Sequence, residues 1–366
     1  MSGHVRPAIE ELWVQRGEEG TRIARAVRRH LPWLEPRVFD DPSEAEPTPG
    51  PDAFGRGKRR LVLLRHRGSF LEHCPAGTGG LVCCNYLVLH LGSNCPMDCS
   101  YCFLQAYLRN NPALKVYTNP EDALAEVEAV LRRQPDREFR IGTGELVDSL
   151  ALDPWTELTS ILVPFFAERK GAVLELKTKS AAVEGLLRLG GTPRVVVSWS
   201  VNPPEIVARE EHGTASLEER VQAARRVVRA GYRVAFHFDP LVEYPGWEEG
   251  YGRVLDLLRS EIDPACVAWV SLGSLRMTPA LRAAVRQRHR SSLLAGELVP
   301  ERDGKLRVWR GLRVRMYRTL LGALRSWRHD LPLYLCMETP LVWEQVFGGV
   351  PTDRELGRRL AAGARW

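Results

Sequence analysis

No stretch of this 366-residue sequence stays apolar for the eighteen or so residues that a membrane-spanning helix needs. Its opening, MSGHVRPAIEELWVQRG, lacks the apolar core of a secretory leader, so a cytoplasmic protein with no membrane role is expected. Cysteine is scarce, at 8 residues, and unevenly placed: Cys95, Cys99 and Cys102 cluster, while Cys83 and Cys84 are adjacent. In a reducing compartment such thiols serve as metal ligands or reactive groups before they serve as disulfides. A fourth cysteine is missing from the cluster. Structural zinc is normally closed by four ligands, so three thiolates this close together require a remote fourth ligand or a metal centre that keeps one position open.

What is present reads as a soluble globular chain, 44% hydrophobic and 26% charged, long enough for one large domain with additions or for two domains. The net charge of +6 is modest but uneven. Between Arg276 and Arg328 there are 14 basic residues, Arg290 among them, against Glu297, Glu301 and Asp303. Such a stretch suits an anionic partner, nucleic acid first of all, although a solvated basic helix in an arginine-rich chain has the same composition.

Apolar spacing at Ile9, Leu12, Ile23, Ala26 and Val27 predicts a helix within residues 5–34, and the Pro- and Gly-rich segment 40–57 a loop. From residue 85 strands alternate with helices. Strands are expected over 85–92, 138–142, 172–178, 194–202, 232–240 and 266–273, with helices over 120–134, 154–170, 181–189, 216–231 and 247–262. The strands are Val- and Leu-rich without clean alternation, as when helices cover both faces of a parallel sheet. The expected organisation is an N-terminal helical extension and linker (1–65), an α/β partial barrel (66–275) and a basic substrate-binding region (276–366). Parallel strands that curl together place ligand sites at their C-terminal ends. Here those ends are polar: Gly142 to Glu145, Lys177 to Ser180, Ser198 to Asn202, His237 to Pro240 and Ser271 to Arg276.

The spacing Cys95-x3-Cys99-x2-Cys102 directly after the first strand of six βα repeats resembles the radical S-adenosylmethionine superfamily, whose members share a partial (β/α)6 barrel. The resemblance implies a 4Fe-4S cluster on the three cysteines, with S-adenosylmethionine on the free iron and a flavodoxin or ferredoxin as electron donor. GTGEL, 142–146, resembles the turn that contacts the methionine amino group, which implicates Gly144 and Glu145; an ordinary βα turn explains the glycines but not the glutamate. CPMDCSYCFLQ together with the segment from SWSVNPPEIV to GWEEGY is similar to the spore photoproduct lyase family, over residues 74–318. That resemblance implies DNA as substrate and reversal of a thymine photodimer, begun by a 5′-deoxyadenosyl radical that removes a hydrogen atom from the lesion. It further implies that Lys179 and Ser200 bind the methionine end of the cofactor and that Tyr101 lines the site.

Two positions depart from that family. Its members return the hydrogen atom from a cysteine at the end of the second strand, assisted by a tyrosine after the last cluster cysteine; those positions are Gly142 and Phe103 here, and neither residue can donate. The chain therefore resembles a divergent branch, with Cys83, Cys84 and Tyr101 as candidate donors. Cys74, Cys83, Cys84 and Cys336 suit core filling or an auxiliary metal centre, and Cys266 suits the core. Toward the C-terminus Trp309, Tyr317, Trp327 and Trp343 are interleaved with arginines, the ingredients of a DNA-binding face. Residues 296–311 predict a hairpin turning at Asp303 and Gly304; the resemblance implies that it wedges the duplex open. Three readings stand: a monomeric DNA photoproduct lyase, a radical enzyme acting on RNA, peptide or a small molecule, and a zinc-stabilised nucleic-acid-binding protein without catalysis.

Overall fold

Seven parallel strands lie side by side in chain order in one sheet, which Leu71–His73 edges antiparallel: Tyr86–Leu89, Phe139–Gly142, Ala172–Thr178, Val195–Ser200, Arg233–Leu241, Val267–Ser274 and Leu333–Leu335. They are numbered first to seventh below. The computed structural model describes residues 9–46, 50, 52–75, 80–289, 294 and 296–364, so Arg290 and the first eight residues lie outside it. The first six strands fall where hydrophobic runs predict them. The fourth and sixth are buried along their whole length, because helices pack outside and side chains fill the inside. No helix among the described residues is long and apolar enough to cross a membrane.

The sheet curls. Arg140 on the second strand lies 5.1 Å from the ring centroids of both Trp269 on the sixth and Tyr334 on the seventh, and only a strongly curved sheet lets such distant strands share one guanidinium. Of the covering helices, Leu217–Arg229 shows how the sequence encodes its place. The Ser216 hydroxyl accepts from the Glu219 N–H at 3.1 Å while the Glu219 carboxylate accepts from the Ser216 N–H at 2.8 Å, a reciprocal cap. Leu217, Val221, Ala224 and Val227 then form the buried stripe, and the helix is followed by Gly231, whose φ of +92° favours glycine.

The two ends of the chain hold the surprises. The helix expected within residues 5–34 is instead a strand, Glu11–Gln15, followed by a shorter helix, Arg22–His30. Leu12 and Val14 are buried while Trp13 faces the other side, a period of two that outweighs the helical spacing of the neighbouring apolar residues. That strand pairs with Pro36–Phe39 and Arg60–Leu64, and the latter with Leu114–Tyr117, so the N-terminal region builds a second sheet together with Leu114–Tyr117 and Gly92–Ser93 from within the segment expected to be barrel. The seventh barrel strand was not foreseen either, since Leu333–Leu335 is only three residues long.

The helix Arg310–Trp327 leads into that last strand and is held through a buried polar bridge. The Tyr317 hydroxyl donates to Glu338 at 2.7 Å and accepts from the Ser274 N–H at 2.8 Å, and Arg313 Nε lies 3.1 Å from the same carboxylate. Tyr317 and Trp343 are thus core residues, not parts of a solvent-facing surface as the interleaving suggested. Replacing Tyr317 with Phe removes a donor from one buried group and an acceptor from another, and should cost about 1–3 kcal/mol. Urea unfolding reads this as a lower midpoint at unchanged slope; an unchanged midpoint would show that the bridge does not hold the helix.

Candidate active site

The three-cysteine loop lies between short elements that tether it from several sides. Asn94, at φ +71°, donates to the Pro112 carbonyl at 2.6 Å and accepts from the Cys95 N–H at 2.8 Å. Asp98–Cys99 pairs antiparallel with Glu211–His212, the Ser100 N–H donates to the Glu210 carbonyl at 2.8 Å, and the Cys102 N–H returns to the Cys99 carbonyl at 3.0 Å. Lys58 donates to Asp98 at 3.1 Å and to the Met97 carbonyl, and Arg288 Nη2 reaches both Asp98 oxygens at 3.0 and 3.1 Å. The loop is therefore fixed before any ligand arrives.

Cys95, Cys99 and Cys102 are free thiols, Cys99 buried and the others half-buried. Burial pushes the Cys99 thiol up to about 12 and Cys95 up as well, so ionising them calls for strong positive charge nearby, which a bound metal centre supplies. Among the described residues no three His, Cys, Asp or Glu side chains converge as ligands of a single ion. Thiols that are neighbours without meeting at one point suit a multi-iron cluster, where each sulfur binds a different iron.

Beneath the loop lies a buried carboxylate, Glu211. Arg220 Nη2 stands 2.5 Å from Glu211 Oε2; Asn202 Nδ2 donates to Oε1 at 2.8 Å, and so does the Tyr101 hydroxyl. Burial alone would raise this carboxyl, but Arg220 and Lys179 outweigh it and hold Glu211 at about 2. Tyr101 is thereby pinned through its hydroxyl, and the Lys179 ammonium lies 5.6 Å over its ring, close to Cys99 and Cys102. The loop after the second strand closes the other side. Asp148 accepts from the Thr178 hydroxyl at 2.6 Å and from the Lys179 N–H at 2.8 Å. A Cβ on Gly144 would come within 2.7 Å of Lys177 Cβ and 2.9 Å of its carbonyl oxygen, so this turn lies against the third strand only as glycine. Glu145 beside it has its carboxyl raised by burial, which the nearby Lys177 opposes. Ser200 ends the fourth strand, buried, its carbonyl accepting from Arg220 at 3.0 Å. Cys95, Cys99, Cys102, Tyr101, Lys179, Ser200, Gly144 and Glu145 thus cluster at one end of the barrel.

The barrel interior is unusually polar. His237 Nε2 is 2.7 Å from Glu175, and Ser271 Oγ is 2.6 Å from His237 Nδ1. Burial would raise the Glu175 carboxyl, but His237 and then Arg140, whose Nε lies 3.7 Å away, outweigh it and hold it at about 2. Higher up, Arg276 reaches both Asp239 oxygens at 2.9 and 3.2 Å. Glu211, Arg220, Asp148 and Arg140 escaped the sequence reading. Glu211 and Arg220 flank a helix start in AREEHGTASLEER, where charges read as solvated surface.

The remaining candidates have other partners. The Cys83 N–H donates to Asp353 at 2.8 Å, tying that segment to the C-terminal helix, and Cys84 Sγ accepts from Arg140 Nη2 at 2.9 Å. Cys336 lies 3.8 Å from Arg276 Nη2. Cys266 is only partly buried, because it ends a single 3-10 turn before the sixth strand and not within it as its apolar neighbours suggested. The hairpin forms as expected, Val299–Pro300 against Leu306–Arg307, turning at Gly304 with φ +75°. The basic stretch divides: Arg276, Arg307 and Arg313 are consumed by internal carboxylates, whereas Arg286, Arg302, Arg310, Arg315 and Arg318 are exposed. Of the four aromatics expected on the DNA face only Trp309 is exposed, at 66%, beside the hairpin.

A family model described as spore photoproduct lyase matches residues 83–299, more than half of the chain. This chain belongs to the spore photoproduct lyase family. A spore photoproduct lyase of Clostridium acetobutylicum is 26% identical over 211 residues, 57% of this chain and 60% of that protein. One of Bacillus subtilis is 26% identical over 166 residues, 45% of this chain and 48% of that protein. The aligned region thus spans three-fifths or less of these curated relatives. In three dimensions the correspondence is wider. A solved spore photoproduct lyase mutant with bound AdoMet and dinucleoside spore photoproduct matches at a TM-score of 0.77 and 20% identity, over 91% of this chain and 99% of that one. Another, complexed with dinucleoside spore photoproduct, gives 0.77 at 19% identity over the same shares. At that identity the likeness establishes the partial barrel shared with the spore photoproduct lyases and nothing finer.

Glu211 gives this family member an acid limit. Its folded pKa of about 2 lies below the ordinary 4.5, so its full contribution is present above pH 4.5 and is lost as pH falls toward 2. Glu211→Gln leaves Arg220 buried without its counter-charge and should cost about 3–5 kcal/mol at neutral pH. Urea midpoints measured from pH 7 down to pH 3 should fall for the native chain and fall less steeply in the variant, which keeps the Glu175 carboxylate; parallel curves would remove Glu211 as a contributor.

Proposed function

We propose that this chain is an iron-sulfur, S-adenosylmethionine-dependent DNA lyase that reverses a thymine photodimer of the spore photoproduct type. The observation that carries the reading is the clamped three-thiol loop over the Glu211, Lys179 and Tyr101 network, at the mouth of a barrel from this family. Cys95, Cys99 and Cys102 would hold the cluster. Gly144, Glu145, Lys179 and Ser200 would hold the methionine end of the cofactor, the Lys179 ammonium facing its carboxylate. The bound cluster and cofactor supply the radical that removes a hydrogen atom from the lesion. The protein fixes the reacting groups and excludes competing donors. The damaged duplex would approach the hairpin edge, where exposed Trp309 and Arg310 border a cleft of ≈ 400 Å³ also lined by Val299, Pro300, Glu301 and Val314, with Arg302 exposed on the hairpin itself. A cytoplasmic monomer served by a flavodoxin or ferredoxin completes the proposal.

A second reading keeps the radical chemistry and changes the substrate to RNA, peptide or a small molecule; Gly142 and Phe103, which cannot return a hydrogen atom, favour it. Zinc is disfavoured by membership of the spore photoproduct lyase family. Incubating reconstituted protein with oligonucleotide spore photoproduct, S-adenosylmethionine and reductant separates these. Repaired thymine above the no-enzyme control is expected; 5′-deoxyadenosine without repair would refute the DNA reading, and a colourless zinc protein would refute both radical readings.

Two sets of variants probe the parts. Replacing Cys95, Cys99 and Cys102 with Ala should reduce bound iron to background, while Lys179→Ala should keep iron and weaken S-adenosylmethionine binding about 10-fold or more, as loss of a charge-assisted hydrogen bond implies. Arg302→Ala and Arg310→Ala should each lower the salt dependence of DNA binding by about one counterion. Titrations with unchanged slopes would place the DNA elsewhere.

A further inference from the structure

The proposed reaction must end by returning a hydrogen atom to the thymine product radical, and Gly142 leaves that step without its expected donor. The structure shows what fills the space. A Cβ built on Gly142 would lie 1.7 Å from the Tyr86 hydroxyl oxygen, 2.5 Å from Cζ and 2.8 Å from Cε2. Tyr86 begins the first strand and Gly142 ends the second, with Tyr86 opposite Arg140 and Val88 opposite Gly142. The phenol therefore slants across from the neighbouring strand, and its hydroxyl occupies the volume that a side chain at position 142 would take. A cysteine at 142 and a tyrosine at 86 in this rotamer exclude one another.

The phenol is also equipped for the task. The Arg140 guanidinium lies 5.0 Å from its ring centroid and fixes its direction. The residue is only partly buried, and no hydrogen bond from another described side chain engages its hydroxyl. Burial and the nearby Glu175 keep it protonated. Among the other candidates, the Tyr101 hydroxyl already donates to Glu211, the Cys84 sulfur accepts from Arg140, and the Cys83 backbone is tied to the C-terminal helix.

We propose that Tyr86 is the hydrogen-atom donor of this enzyme, its hydroxyl standing where a side chain at position 142 would stand. The proposal rests on the DNA-repair reading above. In the step, the Tyr86 O–H bond breaks homolytically and a C–H bond forms at the methylene carbon of the thymine radical, giving the thymine methyl group and a neutral phenoxyl radical. One electron from the low-potential donor that reduces the cluster, with one proton from solvent, restores the phenol.

The test uses the reconstituted full chain with dinucleotide spore photoproduct in D2O. The phenolic proton exchanges with solvent, so the native enzyme should place one deuterium in a repaired thymine methyl. Tyr86→Phe should retain its iron, and the 5′-deoxyadenosine released per labelled thymine should rise at least about 10-fold. Unchanged label and unchanged ratio in Tyr86→Phe would overturn the assignment while leaving DNA repair intact; no repair by the native enzyme would overturn the repair reading and this one with it. The unloaded protein gives a second readout. Gly142→Cys should lower Tm by several degrees, and adding Tyr86→Ala should restore it and return label to the product of the double variant. A Tm unmoved by Gly142→Cys would show that the phenol does not fill that volume.

Discussion

The buried Glu211 carboxylate is the point on which the site depends. An ionised carboxylate without solvent is tolerated only when cations and donors surround it, and here Arg220, Lys179, Asn202 and Tyr101 do so. Each partner comes from a different part of the chain. Arg220 lies on a covering helix, Lys179 follows the third strand, Asn202 follows the fourth, and Tyr101 belongs to the cysteine loop. One carboxylate thus gathers the loop, two strand ends and a helix into a fixed arrangement, and the peptide pairing of Glu211 and His212 with Cys99 and Asp98 keeps the loop in register with it. Lys179 is oriented by the same charge that holds Tyr101 in place.

A second set of charges stiffens the barrel below. Glu175 on the third strand, His237 on the fifth and Ser271 on the sixth form one chain of contacts, while Arg140 on the second joins it from the other side. A core of Val and Leu would pack as well but would leave the strands free to adjust independently; paired charges in a low dielectric permit few alternative arrangements. The cost is that every member must stay paired. That condition explains why Arg276, Arg307 and Arg313 belong to internal carboxylates although they lie in the basic stretch, and why charge composition overstates the surface available to DNA.

Much of the barrel was legible because parallel strands buried on both faces leave long Val- and Leu-rich runs, and because caps such as Ser216 with Glu219 mark helix starts. The cluster loop was legible because three thiols in so short a span have few other uses. The N-terminal strand was not, since Leu12 and Val14 alternate over too few residues to outweigh the helical spacing around them. Trp309 and Trp343 show the same limit in side-chain placement. Both stand among arginines in the sequence, yet one is exposed and the other buried, because the helix period and the sheet behind it decide which face is covered. Glu211 and Arg220 were hidden for a related reason: a charged pair reads as surface until distant segments bury it.

Position 142 shows how a local comparison can misstate a loss. Read along the chain, glycine in place of a hydrogen donor is a missing function. Read across the sheet, the glycine is the condition for another side chain to enter, since the Tyr86 hydroxyl lies 1.7 Å from where a Cβ would stand. The two residues lie on adjacent parallel strands, two pairs apart in register, so each can serve the same point in space from its own backbone. A site defined by the volume a reacting atom must reach can change the strand that supplies it. Along the chain Tyr86 and Gly142 stand far apart, and only the pairing of their two strands brings them to one place.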